Sequence, residues 1–110
     1  MKSFKVALAQ FSPYIGNIES NVQRMIEQAN AAKAQNAELI VFPELSVLGY
    51  PAEDLLLRPS LHKRTQQAFE QLATVKDIVM VFGFVNQTED GQRHNAAAVM
   101  KDGQVLGVYN

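Results

Sequence analysis

Two short apolar runs, Leu39-Ile40-Val41-Phe42 and Ile78 to Val85, each follow a stretch with helical periodicity, and this alternation is the strongest limit on the fold. An apolar run of this length with β-branched members reads as a strand covered on both faces, as in parallel sheets. Strands separated by a helix pair in parallel, because a crossover has to carry the chain back to the starting edge. Ile18, Val22, Met25, Ile26 and Ala29 form one apolar helical stripe, while Glu19, Asn21, Arg24, Glu27 and Gln28 fill the other face. Asn17 is placed to cap this helix, Glu19 suits its positive start, and an Ala-rich stretch carries it to about Asn36. A second helix is predicted from near Ser60, with Leu61, Thr65, Ala68, Phe69 and Leu72 facing inward. Ahead of both, Phe4 to Gln10 is apolar with partial alternation and ends at the turn formers Ser12-Pro13 and Gly16-Asn17, which predicts a first strand.

The pattern changes after Val85. His94 to Lys101 and Gln104 to Tyr109 flank Asp102-Gly103, a two-residue hairpin signal that needs positive φ at both positions. The predicted order is β-α-β-α-β followed by an antiparallel hairpin, an α/β arrangement forming one unit over residues 1–110. No repeat or linker divides it. The last strand leaves an apolar sheet face without a covering element, so the chain reads as cut rather than finished.

Composition removes several classes of function. The net charge of −1 gives no basic surface for nucleic acid or an anionic membrane. No apolar run approaches the length of a membrane span, and Gln10 and Pro13 break the N-terminal apolar stretch too early for a signal peptide. The absence of cysteine removes disulfides, thiolate metal sites and a cysteine nucleophile from this stretch, and fits a cytoplasmic protein. His62 and His94 sit in no metal-ligand spacing, so no metal site is expected. Neither GxGxxG nor GxxxxGK[ST] occurs, so no cofactor or nucleotide site is expected in this chain.

Ligands of such sheets bind beyond the carboxyl ends of the strands. That directs attention to the segment from Pro43 to Pro59. Glu44 follows a buried strand whose exit is fixed by Pro43; partial desolvation there would raise its pKa and suit proton transfer. By position alone, Glu44 reads more readily as a carboxylate that solvates a strand end, as most carboxylates do. Tyr50, on the same segment, can line a substrate pocket or pack on the sheet rim. Ser46 has no His or Lys placed to activate it. Glu53 and Asp54 precede Leu55-Leu56-Leu57 and read as caps of a short helical turn.

Phe42-Pro43-Glu44 followed by Gly49-Tyr50 resembles the first catalytic motif of the nitrilase superfamily of carbon–nitrogen hydrolases. The longer run Gly49-Tyr50-Pro51-Ala52-Glu53-Asp54-Leu55-Leu56-Leu57-Arg58-Pro59 is similar to the glutaminase domain of glutamine-dependent NAD⁺ synthetases. Ala9-Gln10, Asn17-Ile18, Asn21, the run Asn95 to Val99, Gly103, Gly107 and Tyr109 fit the same family, so the resemblance spans essentially the whole chain.

The resemblance implies an N-terminal part of an α-β-β-α sandwich and a Glu-Lys-Cys triad in which Glu44 is the general base. It places the lysine just after the strand Val105–Tyr109 and the cysteine much further on, both beyond Asn110. Lys101 precedes the hairpin turn and stands at the wrong end to substitute. The implied substrate is glutamine, whose ammonia passes to a synthetase domain using ATP and Mg²⁺ to amidate nicotinic acid adenine dinucleotide. The implied protein is a homo-oligomer, and this chain alone is expected to be inactive. The alternatives are another amidase of the superfamily or a non-catalytic α/β binding module.

Overall fold

The computed structural model describes residues 4–9, 17–43, 47, 60–87 and 93–109. Its elements are β1 (Val6–Leu8), α1 (Ile18–Ala34), β2 (Leu39–Val41), α2 (Ser60–Leu72), β3 (Val79–Gln87), β4 (Arg93–Lys101) and β5 (Gln104–Tyr109). Helix α1 begins where expected: the Asn17 side chain accepts the Ser20 N–H at 3.1 Å. Its end is a Schellman motif that the spacing alone did not locate. Asn36 takes a positive φ of 66°, its N–H donates to the Lys33 carbonyl, and the Ala37 N–H donates to the Ala32 carbonyl. Ala32 and Ala37 are both buried, which supplies the apolar contact that usually accompanies this turn.

The five strands form one sheet in the order β1-β2-β3-β4-β5. β1, β2 and β3 run parallel, with Leu8 beside Val41 and Val41 beside Val81; β4 and β5 are antiparallel additions. Asp102 and Gly103 have φ of 51° and 82°, as the hairpin signal requires. At Gly103 a Cβ would lie 3.2 Å from the Ala73 carbonyl oxygen, so glycine is needed there for space as well as for φ. The Asp102 carboxylate accepts the Asp77 N–H at 2.8 Å, fastening the hairpin turn to the start of β3. Between Val99 and Met100 the partner on β5 steps from Gly107 to Val105, so Leu106 is an extra residue that bulges β5 beside Gly107.

Both helices pack on one face. Ile18, Val22, Met25 and Ala29 of α1, and Ala68 and Leu72 of α2, close over Ile40, Met80, Phe82, Ala98 and Met100. Phe69 meets Phe82 and Phe84 edge-on, with ring centroids 5.3 and 4.9 Å apart. Arg64 donates two hydrogen bonds to the Glu19 carboxylate across the helix pair and holds that carboxyl below its ordinary pKa. Replacing Phe82 with Ala should destabilise the chain by about 3–5 kcal/mol, because its ring is fully buried and its neighbour Ala98 cannot fill the space. Gln23→Ala, at an exposed helix position, should change stability by less than about 0.5 kcal/mol. Urea unfolding of the two variants measures both values.

The second face corrects an expectation. The apolar runs read as strands covered on both sides, yet Leu39, Val41, Val79, Val81, Ala97 and Val99 are only half-buried, and Leu8 is 70% exposed. These residues share one face by register. Their apolar character matches a covering layer that the described residues do not supply.

Candidate functional site at the carboxyl edge of the sheet

Register fixes where the chain leaves the sheet. The Phe42 N–H donates to the Val81 carbonyl at 2.9 Å, so β2 ends level with the middle of β3. Two residues on, Gly83 pairs with Ala97 of β4, and Ala97 pairs with Tyr109 of β5. The exits of β2 and β5 therefore lie at the same edge, on either side of the β3–β4 ribbon. With strands spaced ~4.8 Å, three steps separate them by roughly 14 Å. Lys101 pairs with Val79 at the opposite edge, as the reading of the hairpin required.

Between the two exits lies a cleft of about 300 Å³ lined by Phe42, Pro43, Gly83, Asn95, Ala97 and Tyr109. Its floor is the open face of the sheet, since Gly83, Ala97 and Tyr109 stand in register there. A Cβ on Gly107 would come within 3.0 Å of the Tyr109 hydroxyl, so the tyrosine ring lies back over Gly107, on its own strand. Gly83 lies in unbroken register with β4. Its carbonyl accepts a hydrogen bond from the Val47 N–H.

Val47 is buried and its N–H donates to the Gly83 carbonyl at 3.2 Å. The Val47 carbonyl accepts from the Asn21 carboxamide Nδ2 at 3.1 Å, a contact spanning 26 residues. Asn21 was assigned to the polar face of α1; it has 0% exposure and belongs to the buried stripe. The signal was present in the spacing, because Asn21 stands three residues after Ile18 and four before Met25. A buried amide is costly unless it is hydrogen-bonded, and this one is. Glu44 and Tyr50, the two candidates for chemistry and substrate contact, lie outside the described residues, as do Ser46, Glu53 and Asp54.

Among the described residues there is no group of three or more His, Cys, Asp or Glu able to hold a metal ion. No described helix is long and apolar enough to cross a membrane.

The model of the carbon-nitrogen hydrolase family matches residues 5–110. Over 110 residues the chain is 79% identical to a glutamine-dependent NAD(+) synthetase of Acinetobacter baylyi, covering 100% of this chain and 20% of that protein. A protein of the same name from Thermotoga maritima is 42% identical, over 99% of this chain and 19% of its own length. The solved glutamine-dependent NAD⁺ synthetase of Acinetobacter baumannii superposes with a TM-score of 0.97 and 82% identity, over 99% of this chain and 21% of that one. An amidase from Nesterenkonia sp. superposes with a TM-score of 0.87 at 23% identity, over 97% of this chain and 42% of its own, and shares the fold. The chain thus spans about a fifth of the length of the synthetases it matches. With the sheet order, the single helical layer and the family match together, the chain belongs to the carbon–nitrogen hydrolases.

Proposed function

We propose that this chain is the N-terminal part of the glutaminase domain of a glutamine-dependent NAD⁺ synthetase, with Glu44 as its general base. The observation that carries the reading is the shared edge: the segment holding Glu44 starts on one side of the cleft and the chain after Tyr109 starts on the other. A gap of roughly 14 Å leaves room for a substrate amide between groups reaching in from both sides. The names of the relatives at 79% and 42% identity support glutamine as the amide and NAD⁺ as the product of the whole protein.

In this reading Glu44 takes the proton of a cysteine thiol supplied by later sequence, and the thiolate attacks the glutamine amide carbon. A lysine following β5 steadies the oxyanion. The protonated Glu44 then gives its proton to departing ammonia and, ionised again, draws one from the water that cleaves the thioester, releasing glutamate. Tyr50 is assigned to the substrate pocket on the same loop. ATP and Mg²⁺ belong to a synthetase domain outside this chain. The residues here do not fit them, because no glycine-rich phosphate loop occurs in the sequence and no acidic or histidine cluster occurs among the described residues. A cytoplasmic location and a homo-oligomeric assembly go with this reading and rest on the resemblance.

The test is a substrate panel on the full-length protein. Glutamine should yield glutamate in step with NAD⁺ formed from nicotinic acid adenine dinucleotide, ATP and Mg²⁺. Turnover of simple aliphatic amides or nitriles without any synthetase product would assign the protein to the stand-alone amidases instead.

A further inference from the structure

Tyr109 ends β5 on the face of the sheet that carries the cleft, and it stands there only because β5 holds one residue more than its pairing with β4 requires. We infer that Tyr109 is a substrate-contacting residue whose ring walls the cleft on the β5 side, and that Gly107 is the positioning residue that seats this ring. The inference deepens the glutaminase reading and rests on it: the ligand is the short aliphatic chain of a primary amide.

Three observations converge. The first is register. Gln104 and Val105 pair with Lys101 and Met100, Leu106 is passed over, and Gly107 and Tyr109 then pair with Val99 and Ala97. Without the extra residue Tyr109 would stand opposite Ala96, which is buried on the helical side. Side chains alternate between faces, so a slip of one residue carries the ring from one side of the sheet to the other. Bulges that re-aim a side chain in this way are over-represented beside active sites.

The second is space. The Tyr109 ring borders the cleft of about 300 Å³. Gly83 and Ala97, in its row on β3 and β4, carry at most a methyl group and leave the floor open. Phe42, Pro43 and Val81 add apolar lining, which suits the methylene groups of an amide side chain.

The third is the seat. A Cβ on Gly107 would lie 3.0 Å from the Tyr109 hydroxyl and 3.1 Å from its Cε2, so the ring lies against backbone that only glycine leaves bare. Gly107 has no positive φ, so the ring and not the backbone is what an added methyl would meet. The ring would then have to shift by a few tenths of an ångström. Gly107 touches no substrate in this account; it acts through Tyr109.

The experiment follows glutamine-supported and ammonia-supported NAD⁺ formation by the full-length protein. Tyr109→Ala should raise KM for glutamine by about 5- to 20-fold, with kcat within about threefold and the ammonia-supported rate as in wild type. Tyr109→Phe keeps the ring and should recover most of that loss. Gly107→Ala should raise KM for glutamine by about 2- to 5-fold when made alone, and not at all on top of Tyr109→Ala, where there is no ring to displace. A KM within about twofold of wild type in Tyr109→Ala would overturn the inference. Equal losses with both nitrogen sources would overturn it as well, as would an undiminished effect of Gly107→Ala in the double variant. Wild-type protein that turns over no glutamine removes the glutaminase reading and this inference with it. Glutamine turnover by wild type that Tyr109→Ala leaves unchanged removes only the wall.

Discussion

Full-length protein carrying Glu44→Gln is expected to lose glutamine-dependent NAD⁺ formation by about 1000-fold or more, with the ammonia-supported rate unchanged. The substitution keeps the size and shape of the side chain, and the described hydrogen bonds on either side of this segment are made by Phe42, Val47 and Asn21. What is lost is the capacity to accept a proton. General base catalysis alone contributes on the order of 10² to 10⁴ in rate. Groups acting as one unit fail together, so removing the base should cost nearly as much as removing the thiol. Glutamate release read in parallel with NAD⁺ formation checks both halves. If glutamate release by the variant stays within about tenfold of wild type, Glu44 is not the base.

The large features of the fold were readable because each depended on local chemistry. The Asp102-Gly103 pair can hardly do other than turn a hairpin, and both residues have the positive φ expected of it. The stripe Ile18, Val22, Met25, Ala29 is the buried side of α1, and Asn17 caps that helix. The second helix starts at Ser60, with Thr65, Ala68 and Leu72 buried as the period required. What was not legible came from contacts distant in sequence. Asn21 reads as surface because it is polar; its meeting with Val47, 26 residues away, helps make burial tolerable. The bulge at Leu106, opposite Val99 and Met100, answers to the way two strands twist against each other, and Gly107 beside it marks it only weakly, because a strand glycine has other uses. The site was legible as a motif and as a strand end. The convergence of the β2 and β5 exits needed the register of four strands.

The open face of the sheet gives a second large effect, one whose sign should depend on how much of the protein is present. Leu39 pairs with Val6 and Val79 on that face, at the end away from the cleft, and it is half-buried with no described helix above it. In the 110-residue chain alone, a contiguous apolar surface of this kind drives association. Leu39→Lys should relieve it: the lysine stem can lie along the sheet while the ammonium reaches water. The expected result is a wild-type chain that elutes larger than a monomer and a variant that elutes as one, with similar melting temperatures. In the full-length protein the α-β-β-α arrangement stacks a second sheet about 10 Å away, which leaves the ammonium no path to solvent. There the same substitution buries an unpaired charge at a cost of several kcal/mol, enough to lower the melting temperature sharply or prevent folding. A substitution that improves the part and damages the whole requires the face to be covered by sequence outside this chain. Full-length Leu39→Lys protein melting within a degree or two of wild type would mean that this face stays open to water, and that the sandwich is not completed there.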